Sequence, residues 1–213
     1  MARPQANASP RVLVTGFEPF PGAPVNPTEA LVSRLRQSPP AIDGMGAFRA
    51  EVLPVDYAAV GPRLSQIGRE FSPDIAIHFG LALECGGFRL ERLARNRFAA
   101  DRPDNTGELK AEGAICRGPG LLPSNLPLPE IFDRLTATRL PVEWSDDAGG
   151  YLCNMVFTLS RTHACEDFTP AMSGFIHVPL TGTEPASSLN DAQLAAGAAA
   201  IVSACCAAWH KGD

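Results

Sequence analysis

The chain has no two adjacent Lys or Arg residues, no unbroken apolar run of about eighteen residues, and none of the short spacings that hold metals, phosphates or dinucleotides. Each absence excludes something. With a net charge of −5 and a pI near 5.4, and with no basic patch, no nucleic-acid surface is expected. Arg89, Arg92, Arg95 and Arg97 come closest to a cluster, but Glu91 falls among them. Without a long apolar run, no segment is expected to span a membrane. There is no Cys-x-x-Cys pair, no His-Glu-x-x-His, no Gly-x-Gly-x-x-Gly and no phosphate loop, so neither a metal nor a cofactor is expected. Residues 1–10 carry one arginine, two prolines and no apolar stretch, so they read as a disordered lead-in rather than a signal peptide. An unexported chain belongs in the cytoplasm. There its six cysteines (85, 116, 153, 165, 205 and 206) stay reduced, most of them as small buried residues.

What is present is an ordinary globular composition, 45% hydrophobic and 19% charged over 213 residues, enough for one domain from residue 11 to 213 with a substantial core. Arg11-Val-Leu-Val-Thr-Gly16 and Asp74-Ile-Ala-Ile-His-Phe-Gly80 are compact apolar runs of the kind that form central strands. Asn26-Pro27-Thr28-Glu29 supplies a cap, a proline at the first helical position and an acid three residues after the cap. The helix it opens ends at about Gln37, before Ser38-Pro39-Pro40. Further strands are expected over 47–55, the first half of 88–98, and 173–178. Helices are expected over 57–71 (its period broken by Gly61-Pro62), 129–139, 150–164 and 190–210. From 101 to 127 the chain is rich in Gly, Pro and Asn, as a lid or substrate-facing loop would be. Strands alternating with helices predict an α/β sandwich with a mostly parallel sheet.

The chemistry concentrates at Ser145-Asp-Asp-Ala-Gly-Gly-Tyr-Leu-Cys153-Asn154. Small turn-forming residues deliver Cys153 to the mouth of a helix, where backbone N–H groups and the positive end of the helix dipole favour thiolate over thiol. Gly149 and Gly150 let backbone approach a ligand closely and leave N–H groups for an oxyanion. The other cysteines lack this setting. Of four histidines, His177 in Gly174-Phe-Ile-His-Val-Pro179 ends a buried strand, where catalytic groups of α/β folds gather. His78 lies inside an apolar strand and reads as a core histidine. A third group should fix the imidazole. Glu84, Glu91, Asp101, Asp104, Asp146 and Asp147 are all open, and pattern favours Glu91, which interrupts Phe88, Leu90 and Leu93.

These residues also form blocks. Val14-Thr-Gly-Phe-Glu-Pro-Phe20 with Val25-Asn-Pro27, then Leu90-Glu-Arg-Leu-Ala-Arg-Asn96, Arg102-Pro-Asp-Asn105, the Ser145–Asn154 tract and the Gly174–Pro179 tract run in order along the chain. Together they resemble the pyrrolidone carboxyl peptidase family, pyroglutamyl peptidase type I. The resemblance implies a single-domain three-layer α/β/α sandwich around a twisted, mostly parallel mixed sheet. It implies a cysteine peptidase that removes an N-terminal pyroglutamyl residue through a thioester, with no cofactor. In that scheme Cys153 is the nucleophile, His177 the general base and then acid, and Glu91 the residue that orients the histidine. Phe17 and Phe20 wall the lactam ring, with Leu81 and Leu152 also lining the site. Family members assemble as tetramers, so a homo-oligomer is expected. Two positions depart from the family pattern: Leu81 stands where many bacterial members carry glutamine, and Asp101 stands where an arginine is common, with Arg102 beside it. A thiol amidase of shifted acyl or lactam specificity, or a non-catalytic binder of pyroglutamyl peptides, are the alternatives.

Overall fold

Strands covered on both faces are apolar at every position rather than at alternate ones, and the central strands here follow that rule. In a computed structural model describing residues 9–99, 101–182 and 188–211, strands β1 (Arg11–Phe17) and β3 (Ile75–Leu81) are buried along almost their whole length. They are joined by β2 (Ala47–Leu53), β4 (Phe88–Glu91), β7 (Val142–Ser145) and β8 (Met172–Val178) in a six-stranded sheet of order β2-β1-β3-β8-β4-β7. The pairings are parallel except β4 against β8, which is antiparallel. Short strands β5 (Leu93–Arg95) and β6 (Leu121–Pro123) form a separate antiparallel pair.

The helices are α1 (Pro27–Gln37), α2 (Val60–Phe71), α3 (Leu128–Ala137), α4 (Leu152–Thr162) and α5 (Asp191–Trp209). Alternate residues of each strand feed opposite sides. Val12, Val14, Ile75, Ile77 and Ile176 pack with α1, α3 and α5, while Leu13, Ala76 and Phe175 pack with α2 and α4. The result is the three-layer α/β/α sandwich. α1 begins as its sequence dictates, the Asn26 side chain accepting from the Thr28 N–H with Pro27 in the first turn.

Three expectations change. Gly61-Pro62 does not break a helix: both fall in the first turn of α2, where proline costs no hydrogen bond. β7 was not foreseen, because an edge strand of only four residues carries little periodicity. α5 is long and apolar enough to cross a membrane by length and composition. Here Leu194, Ala198, Ile201, Val202 and Cys205 lie in the core. Of the expected lead-in, residues 1–8 lie outside the described residues. Pro10 belongs to the fold: it is buried, and its carbonyl accepts from the Gly46 and Ala47 N–H groups.

Candidate active site

β8 places His177 one residue from its carboxyl end, beside β3 and β4. Across the antiparallel β4–β8 ladder Arg89 pairs with His177 and Glu91 with Phe175, so Glu91 and His177 are diagonal neighbours on one face. The His177 ring reaches Glu91 Oε1 through Nδ1 at 2.8 Å. Glu91 is fully buried, and its Oε2 has no partner among the described residues. With Nδ1 turned to the carboxylate, Nε2 is left for the Cys153 sulfur, which lies close enough to act on the ring electrostatically. Burial alone would push the His177 imidazole down. The neighbouring Cys153 sulfur and then Glu91 more than reverse that, raising it to about 9.

Cys153 is the second residue of α4. No side chain caps this helix and no acid occupies its first turn, so nothing competes with the sulfur or with a bound anion for the first N–H groups. Gly149 takes φ 80°, a left-handed conformation that glycine adopts without strain. From the other side, Gly80 of β3 stands opposite His177 in register. A Cβ there would lie 2.8 Å from the Cys153 sulfur and 2.7 Å from the Phe175 ring. Glycine is what lets the sulfur reach the sheet.

Sulfur and imidazole open onto a cavity of about 380 Å³. Phe17, Phe20, Leu81 and Leu152, the four residues named as substrate-facing, all line it, with Val55 and Tyr151 adding apolar surface. Arg89, Arg102 and Glu84 supply charge at its walls. Glu143 holds Arg89 at 2.5 Å, and Asp101 holds Arg102 at 3.0 Å. Of the other acids considered as orienting groups, Asp146 pairs with Arg92 and Asp147 with Arg95. Asp104 is turned inward to the Tyr57, Thr106 and Glu108 N–H groups.

That last contact bears on the 101–127 tract. Residues 103–108 are tied down at several points, and Arg102 just before them lines the cavity. Asp104 organises their backbone, Asn105 donates to the Pro19 carbonyl at 3.0 Å, and the Tyr151 hydroxyl donates to the Pro103 carbonyl at 2.9 Å. His78 is the core histidine it resembled, held between Thr15 at 2.8 Å and Ser160 at 3.1 Å, its pKa lowered by burial to about 3. No group of three or more His, Cys, Asp or Glu that could hold a metal ion occurs among the described residues.

Sequence reasoning passed over Gly80, Arg89, Tyr151 and Asn154. Tyr151 and Asn154 flank Cys153 and could have been flagged on that ground. Nothing local marks Gly80 or Arg89, because their importance comes from strand register.

Comparison with known proteins agrees with this geometry. A profile described as pyroglutamyl peptidase matches residues 10–208. A pyrrolidone-carboxylate peptidase of Pyrococcus furiosus is 40% identical over 174 residues, covering 79% of this chain and 80% of that protein. One from Pseudomonas fluorescens is 35% identical, covering 93% and 92%. The crystal structure of pyrrolidone carboxyl peptidase from Thermus thermophilus superimposes with a TM-score of 0.79 at 35% identity, covering 90% of this chain and 98% of that one. With thiol and imidazole at one apolar cavity and a carboxylate behind the imidazole, and similarity along nearly the whole length, the chain belongs to the pyroglutamyl peptidase family.

Proposed function

We propose that this cysteine peptidase removes N-terminal pyroglutamyl residues from peptides, with Cys153 as nucleophile, His177 as proton carrier and Glu91 holding the imidazole. The observation that carries the assignment is the 2.8 Å contact of Glu91 Oε1 with the His177 ring, whose imidazole shares the wall of one cavity with the Cys153 sulfur. The thiolate attacks the pyroglutamyl carbonyl and an S–C bond forms. First-turn N–H groups of α4 face the developing oxyanion, and Arg102, which interacts electrostatically with Cys153, lines the same cavity. As the C–N bond breaks, the His177 imidazolium gives its proton to the leaving amine. Water then attacks the thioester, His177 takes its proton, and the S–C bond breaks to release pyroglutamate.

The cavity suits the acyl group. A pyroglutamyl residue is neutral, its amine locked in a flat lactam, so aromatic and aliphatic walls from Phe17, Phe20, Leu81 and Leu152 bind it without a carboxylate to hold an ammonium. A cytoplasmic setting fits the six free thiols. A homo-oligomer accords with the half-exposed alanines of α5, a smooth surface for a second copy. Fluorophore release from a pyroglutamyl amide, compared with alanyl and prolyl amides, tests the activity. Selective release supports it. Release from the other amides makes the chain a broader thiol amidase, and binding without release makes it a non-catalytic binder.

A further inference from the structure

A second hollow, of about 230 Å³, lies against the loop that leads into α4, lined by Arg95, Arg97, Ala99, Asp147, Gly149 and Gly150. Asp147 and Gly149 line the reaction cavity as well, so one loop forms a wall of both. The recess is also keyed to the nucleophile's helix. Asn154, the residue after Cys153, accepts from the Arg95 N–H at 2.9 Å and donates to the Arg95 and Arg97 carbonyls at 2.6 and 3.1 Å. On the opposite side the Ala99 N–H donates to the Gly150 carbonyl at 3.2 Å. The backbone carrying both arginines is thereby fixed relative to the sulfur.

Its charge is not balanced. Arg92 is engaged by Asp146, and Arg95 faces Asp147 at 3.5 Å and donates to the Asp146 carbonyl at 3.2 Å. The exposed Arg97 makes no ion pair with any described residue. Three guanidinium groups against two carboxylates leave one positive charge beside the reaction cavity, in a chain whose net charge is −5. A planar guanidinium takes a carboxylate through paired N–H donors.

We propose that this recess is a subsite for a carboxylate on the leaving side of the substrate, either the C-terminal carboxylate of a short peptide or an acidic side chain within a longer one. The inference rests on the peptidase reading above, because only a peptide leaving group extends beyond the scissile amide and over the Asp147–Gly149 rim. An extended chain advances about 3.3–3.6 Å per residue, so two or three residues carry a carboxylate about 7–11 Å from the scissile bond. Contacts made that far from the reacting atoms select among substrates.

The test compares kcat/KM for pyroglutamyl-Ala-Ala-Ala, its C-terminal amide, and the amide of pyroglutamyl-Ala-Glu-Ala, using the full chain and its Arg97→Gln and Arg97→Lys variants. At low salt, one or both charged peptides should be cleaved about three- to fivefold more efficiently than the neutral amide, chiefly through KM, and the preference should shrink in 1 M NaCl. Arg97→Gln should bring the charged-to-neutral ratio toward one, and Arg97→Lys should restore part of it. Because the ratio is taken within each variant, a change that merely disturbs α4 lowers all three substrates together and leaves it untouched. Preference for the free acid identifies the terminal carboxylate, and preference for the glutamyl peptide identifies the side chain. Equal efficiency on all three in the unaltered chain overturns the subsite alone, as does a preference that survives combined Arg95→Gln and Arg97→Gln. Failure to cleave any pyroglutamyl peptide overturns the activity and the subsite with it.

Discussion

His177 Nδ1 and Glu91 Oε1 lie 2.8 Å apart, joining two buried groups 86 residues distant in sequence. Glu91→Gln keeps the shape of the carboxylate and removes its charge. It should lower kcat by about 10²-fold or more while changing KM little, as expected when an imidazole loses the anion that fixes its tautomer and stabilises its protonated form. Steady-state kinetics on a pyroglutamyl amide, with a thermal melt to confirm folding, decide this. Full activity in the variant would reduce the pair to a structural contact.

The same pair sets a pH dependence. The His177 pKa is raised from 6.5 to about 9, and in the proposed mechanism the imidazolium is the proton donor to the leaving amine. Activity should therefore decline as pH rises through about 9. In Glu91→Gln, that alkaline limb should move to lower pH, because one of the influences raising the imidazole is gone. Stability carries the same sign. The contribution of His177 is complete below pH 6.5 and is lost as pH rises toward 9. An alkaline limb that stays in place in the variant counts against Glu91 as a partner of the protonated ring.

Burial pushes the thiols of Cys85, Cys165 and Cys206 up to about 11 and raises Cys205 as well, so these four resist alkylation near neutral pH. Cys153 lines the open cavity at a helix N-terminus. Brief iodoacetamide treatment followed by peptide mapping should find Cys153 labelled first, with activity lost in parallel. Cys153→Ser should fold normally and retain less than about 1% of turnover. Faster labelling of Cys116, or activity that survives Cys153 labelling, would contradict the assignment.

Gly80→Ala tests the approach of sulfur to sheet. The added methyl would meet the Cys153 sulfur at 2.8 Å and the Phe175 ring at 2.7 Å, and overpacking of this kind costs about 1–3 kcal/mol. The expected variant is folded, modestly less stable by urea titration, and at least about tenfold slower because the sulfur is displaced from the imidazole. Unchanged turnover would mean that α4 can shift without penalty.

His78 predicts behaviour in acid. Its pKa, lowered by burial to about 3 from 6.5, means the neutral ring stabilises the fold above pH 6.5 and that this contribution is lost as pH falls toward 3. Urea midpoints should drop across that interval. His78→Gln should start lower at pH 7, by about 1–3 kcal/mol for the disturbed Thr15 and Ser160 hydrogen bonds, yet fall less steeply. Parallel curves would show that other groups govern acid sensitivity.

Much of the sheet was legible because two-sided burial writes itself as unbroken apolar runs, as in Val12-Leu13-Val14 and Ile75-Ala76-Ile77. α1 was legible through Asn26-Pro27, whose side-chain and ring chemistry act locally. β7 was not, since Val142-Glu-Trp-Ser145 is a short edge segment whose place comes from pairing with β4. Glu91 showed as an acid interrupting an apolar alternation and was favoured as the group that fixes the imidazole, but the diagonal geometry of its contact with His177 could not be read, because it depends on an antiparallel register between β4 and β8. Asn154 and Asp104 escaped for a different reason. Both act by binding backbone far away in sequence, at 95–97 and at Tyr57, and backbone groups leave no mark in a sequence.

β8 is synthesised after the other strands, yet it fills the slot between β3 and β4. Chains caught midway through translation, or partly unravelled by heat or proteolysis, carry the cysteine without its imidazole and hence no stray hydrolytic power. Turnover of a pyroglutamyl substrate would double as a gauge of how much of a preparation has closed its central strand.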